Sequence, residues 1–175
     1  MRFSHTPISL TLIFLLSSQF CNHSNWDFSN RSFLRRLSSM EYQIDNQVVK
    51  LEKGTCVKEI VPGAASKLRV NLSEWLALGD LNCDHQSDAV VILTANMGGS
   101  GTFYYLIPVI KQREKTVALE SILLGDRISM VALDIQDGQI TVVYFDRDIG
   151  DSMTSSPSVE IQRRFTLSNN TLSML

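Results

Sequence analysis

The chain has 175 residues, 44% hydrophobic and 19% charged, with a formal net charge of −2. That length suits one domain with a real core and leaves little room for a second. The balance excludes a basic nucleic-acid binder, which needs a positive field to neutralise phosphates. It also excludes a disordered chain, which could not bury enough apolar surface to offset its ordering entropy.

Residues 1–21, MRFSHTPISLTLIFLLSSQFC, are expected to be a signal peptide. Arg2 precedes an apolar run over 8–16, the first acid is Asp27, and the run is shorter than the roughly 20 residues that cross a bilayer. An extracytoplasmic location follows: periplasm, cell envelope or medium. Cys21 stands where a lipoprotein carries its lipidated cysteine, although bulky Phe20 departs from the small residues such a site prefers. A membrane tether through Cys21, simple secretion and an uncleaved anchor all stay open. In an oxidising compartment Cys56 and Cys83 are candidates for a disulfide, with two buried free thiols as the alternative. Residues 22–39, NHSNWDFSNRSFLRRLSS, are expected to be a flexible tether with at most a helical turn over 33–37. Asn22, Asn30, Asn71 and Asn169 each open an Asn-x-Ser/Thr triplet, which matters only in a eukaryotic secretory pathway.

From residue 40 to 175 the apolar spacing is close to two, and an all-β domain is expected. Tyr42 and Ile44 alternate, and Asp45-Asn46 turns into a strand over 48–51. Strands are expected over 55–61, 67–71 and 74–78, with one helical turn at most over 64–67. Residues 88–94, DAVVILT, form an almost continuous aliphatic run, as in a central strand buried on both faces. Further strands are expected over 102–110, 117–124, 128–135 and 140–145, the last two joined at Gln136-Asp137-Gly138. A closing pair covers 159–167 and 171–175. Turns this frequent indicate an antiparallel meander that packs as a sandwich or a partly open barrel.

The loop GDLNCDHQSD carries oxygen side chains at Asp80, Asn82, Asp84 and Asp88, which are loop positions 1, 3, 5 and 9. Gln86, at position 7, would add its backbone carbonyl. Oxygens at alternate positions of a tight loop fold inward around a hard cation, and the flexible six-to-eight coordination of calcium suits them better than rigid octahedral magnesium. His85 occupies position 6, where glycine normally allows φ > 0, and Val91 stands at position 12 instead of a bidentate Glu. Two readings stay open: a calcium loop entering a strand, or an Asp/Asn-rich turn whose side chains cap backbone N–H groups.

His85 also bears on catalysis, since His5 and His23 lie in the signal and the tether. A Ser-His-Asp, Cys-His or His-zinc centre would have to use it, so no enzyme is expected. Gly98-Gly99-Ser100-Gly101 lacks the Lys-Ser/Thr of a phosphate cradle and reads as a turn. Phe103, Tyr104 and Tyr105 alternate faces, either as ordinary packing or as a ligand patch. Asp146, Asp148 and Asp151 read as a solvated turn, and Asp126-Arg127 as a local ion pair.

Taken together, GDLNCDHQSDAVVIL, GGSGTFYYL and LGDR, in that order, resemble a bacterial extracytoplasmic domain of uncharacterised function found in predicted lipoproteins. Its members read GDLNGDGxDDAxVxL, GGSGTFxYL and LGDR, and the resemblance covers residues 41–175. It implies a β-rich fold and export, and no activity. Cys83 and His85 replace glycines of that pattern, and Ser87 replaces an Asp. The expectation is therefore a non-catalytic envelope module with a weak calcium loop and a structural or interaction role. The alternative is a binder of a small ligand or of a foreign protein, such as a periplasmic hydrolase inhibitor. A sheet covered on both faces favours the first, and a large exposed aromatic patch around 103–105 favours the second.

Overall fold

The computed structural model describes residues 30–175 apart from 61–62, 64–65 and 114. The signal peptide, Cys21, the first part of the tether and residues 64–65 of the expected turn at 64–67 lie outside the described residues. Described first is α1 (Asn30–Leu37), whose Phe33 and Leu37 are four residues apart and so point to one side. Both are buried, and Tyr42 donates from its hydroxyl to the Leu37 carbonyl at 2.7 Å. The end of the expected tether is thus part of the packed domain.

The hairpin expected at Asp45-Asn46 joins β1 (Glu41–Ile44) to β2 (Gln47–Lys50). Next come β3 (Thr55–Glu59) and β4 (Lys67–Gly79), which merges the two strands expected over 67–78. Its register against β5 (Asp88–Asn96) advances from Leu72↔Leu93 to Leu76↔Val91. Four steps on β4 thus match two on β5, a bulge of two residues that bends the strand where a break was expected.

Beside β5 lies β6 (Phe103–Gln112), followed by β7 (Lys115–Ala118) and β8 (Ile122–Asp126), both of which pair with β6. One strand was expected over 117–124, and Pro108 explains the division. Its carbonyl accepts from Leu119 N at 2.8 Å, so that side of residue 108 faces the partner strand. Proline supplies no N–H there, and the ladder is interrupted between β8 and β7.

The chain then forms β9 (Ser129–Gln136), β10 (Gln139–Asp146), β11 (Val159–Ser168) and β12 (Thr171–Met174), in spatial order β12-β11-β10-β9. Asp137 and Gly138, both at positive φ, close the β9–β10 hairpin as the sequence indicates. The larger sheet runs β3-β4-β5-β6-β7 with β8 also on β6, and every pairing is antiparallel. The arrangement is sandwich-like and not a closed barrel.

Alternation along β5 assigns its two faces. Ala89, Val91, Leu93 and Ala95 join the cluster that includes Phe33, Leu37, Tyr42 and Val49, so α1 and the β1–β2 hairpin cover one side. Val90 and Ile92 join Ile140, Val142, Tyr144 and Phe165 of the four-stranded sheet on the other. The central sheet is therefore covered on both faces, as its aliphatic run requires.

Cys83 is disulfide-bonded and Cys56 is free, so the expected Cys56–Cys83 pair does not form. Cys56 lies opposite Val70, and Cys83 follows the end of β4 nine residues further on. That is roughly 25–30 Å of strand, against the roughly 4.4–6.8 Å between Cα atoms that a disulfide spans.

Candidate functional site: the loop between the fourth and fifth strands

The loop is fastened at both ends. Gly79 sits so close to β9 that a Cβ there would lie 2.5 Å from Ile135 Cγ2, so only glycine lets the strands meet. Leu81 is buried in the cluster between the sheets. Between these anchors and β5, Asn82, Cys83, Asp84 and His85 are exposed. Cys83 and His85 adopt φ of +59° and +63°, so His85 takes the left-handed conformation its position demands.

The five candidate ligands divide by role. Asp80, buried, accepts from Asp84 N at Oδ1 (3.2 Å) and from His85 N at Oδ2 (2.8 Å). Asn82 Oδ1 accepts from the same Asp84 N at 3.1 Å, which brings the oxygens of positions 1 and 3 round one point. Asp84 Oδ1 accepts from Gln86 N, and its Oδ2 from the amides of Asn82 and Gln86. The capping role expected of an Asp-rich turn is therefore present.

Asp88 faces the other way. It is fully buried, and its Oδ2 accepts from Leu81 N (3.1 Å) while Oδ1 accepts from Lys111 N on β6 (2.9 Å). Burial raises its pKa from 3.8 to about 6, as do the nearby Asp84 and Asp80 carboxylates, against the lowering effect of the two N–H donors. Asp88 thus clamps the loop to the central sheet.

What remains toward solvent is Asn82 and Asp84, with Gln86 half-buried beside them and Asp80 buried beneath. Each carboxylate oxygen that accepts one N–H keeps a further lone pair. Among the described residues no group of three or more His, Cys, Asp or Glu side chains is arranged to hold a metal. Two carboxylates and one amide lie close together here instead, with their oxygens turned to N–H donors of the same loop.

The remaining expectations fall on turns. Asp126 and Arg127 form the expected ion pair at 3.0 Å, and they do more. Asp126 Oδ1 accepts from Thr102 N, and Arg127 N donates to the Thr102 carbonyl, each at 2.7 Å. The LGDR segment thereby pins the glycine-rich turn that precedes β6. Arg147 extends the junction by donating to the carbonyls of Asp126, Arg127 and Ser155. Asp146 and Asp148 accept from the N–H of the next residue, which fits a turn. His85 Nδ1 lies 3.9 Å from the Asp80 carboxylate, and its side chain is exposed. Tyr105 is buried, donating to Asp45 at 2.9 Å, and burial and that carboxylate both raise its pKa. Phe103 packs on the same face, while Tyr104 packs on the opposite one against the cluster between the sheets and stays partly exposed.

Sequence reasoning missed the reach of Asp88 to Lys111, 23 residues away, because that contact depends on the β5–β6 register. Comparison of the chain with family models, curated proteins and solved structures finds no match.

Proposed function

We propose that this chain is an exported, non-catalytic module of the cell envelope with a structural or interaction role, whose loop between β4 and β5 binds calcium weakly. The observation that carries the reading is the covering of the central sheet on both faces, which spends its aliphatic surface on packing. The polar residues of the loops support it, since Asp80, Asp88, Asp126 and Arg147 all hold backbone groups in place. The disulfide at Cys83 supports an oxidising compartment, as the apolar N-terminal sequence does. Calcium would sit at the outer side of the loop, on Asn82, Asp84, the Gln86 carbonyl and the buried Asp80 beneath them, while Asp88 holds the loop from below.

Fractionation of the full-length protein carrying a C-terminal tag tests the export on which this reading depends. Recovery outside the cytoplasm with Cys83 oxidised is expected. Recovery of full-length chain in the cytosol with Cys83 reduced would overturn it.

A further inference from the structure

Strands β4 and β9 lie side by side without pairing, and they behave differently along their length. At Gly79 and Ile135 they touch. Nearer the bulge they part, leaving a cleft of about 440 Å³ lined by Ser73, Glu74, Trp75, Tyr104, Ser129 and Met130, among others. The two extra residues of β4 fall at this place, so the bulge carries Glu74 and Trp75 to the cleft. Bulges of this kind re-aim side chains beside functional sites.

Two properties of the lining point to a ligand. Trp75 and Tyr104 both pack on the cluster between the sheets yet remain half-exposed, offering rigid aromatic surface at the mouth. Glu74, Thr94, Tyr104 and Ser129 line the same cleft, and none of their side-chain oxygens bonds a described residue. Ser73 Oγ is engaged, accepting from Trp75 N at 3.2 Å and so fixing the bulge. Aromatic faces beside unengaged hydroxyls and a carboxylate match one chemistry well. A pyranose offers an apolar C–H face to the rings and hydroxyls that donate and accept at its edge.

We infer that this cleft binds a neutral oligosaccharide, with Trp75 and Tyr104 as the platform and Glu74 accepting from sugar hydroxyls. A neutral sugar is favoured because Glu74 would repel a carboxylate, and no Lys or Arg is among the described residues that line the cleft. The site is independent of the loop between β4 and β5.

The chain has two tryptophans, Trp26 and Trp75, so Trp26→Phe leaves Trp75 as the sole reporter. Its emission is followed while cellotriose, maltotriose or triacetylchitotriose is added to millimolar levels, with trigalacturonate as the charged control. A saturable change with at least one neutral trisaccharide and none with trigalacturonate is expected. Tyr104→Phe and Glu74→Gln, which keep the packing, should each weaken that binding by roughly three- to tenfold at an unchanged melting temperature. Failure of all three neutral sugars to alter the emission would overturn the inference. So would equal binding of trigalacturonate, or binding that neither variant weakens.

Discussion

Asp88→Asn removes one buried charge while keeping the shape of the side chain, and its effect should depend on pH. In the folded protein the Asp88 carboxyl titrates near 6 instead of 3.8. The folded state therefore holds this proton more tightly than the unfolded chain. The resulting stability is fully present below pH 3.8 and is lost as pH rises through about 6. At about 1.36 kcal/mol per pH unit, the interval is worth about 3 kcal/mol. Asn carries no such term. Because the unfolded carboxyl is already partly ionised at pH 4, the stability of the variant relative to wild type should thus improve by about 2.4 kcal/mol between pH 4 and pH 7, about 5–10 °C in melting temperature. Urea titrations of both proteins at several pH values in a calcium chelator measure this, and taking the difference cancels groups common to both. A gap constant to within about 0.5 kcal/mol across that range would refute the argument from burial and carboxylate proximity.

Leu37→Ala should cost about 2–5 kcal/mol, measured by urea denaturation, if α1 belongs to the core as its complete burial indicates. Gly79→Ala should cost about 1–3 kcal/mol because its Cβ would meet Ile135, and Ile135→Ala should restore part of that loss in the double variant. Peptide mapping under non-reducing conditions should recover Cys83 in a disulfide-linked peptide and Cys56 alkylated as a free thiol.

The architecture was legible where each residue answers to its immediate neighbours. The aliphatic run of β5 needs two covered faces, and Asp137-Gly138 supplies the positive φ of the β9–β10 hairpin. Legibility failed where a distant partner decides. Phe33 and Leu37 make only two core contacts on one helical side, too short a stripe to distinguish from a polar tether. Pro108 was visible, but its consequence falls on the neighbouring strand, which divides because of a missing N–H. The loop oxygens were readable as a set. Their division was not, because Asp88 is drawn inward by the Lys111 N–H and Asp80 is buried, while Asn82 and Asp84 stay at the rim. The bulge that brings Trp75 to its cleft is a matter of register, which β4 acquires only by pairing with β5.

The melting temperature in calcium against a chelator reports directly on calcium binding by the loop between β4 and β5. An ion that binds only the folded state adds RT ln(1 + [Ca²⁺]/Kd). For an extracellular-type site with Kd of about 10⁻⁴–10⁻³ M, calcium at ten times Kd adds about 1.4 kcal/mol, or about 3–6 °C. If the loop binds calcium, the wild type shows that rise at pH 7 and Asp84→Ala loses it. Superimposable curves for the wild type in calcium and in chelator would contradict it.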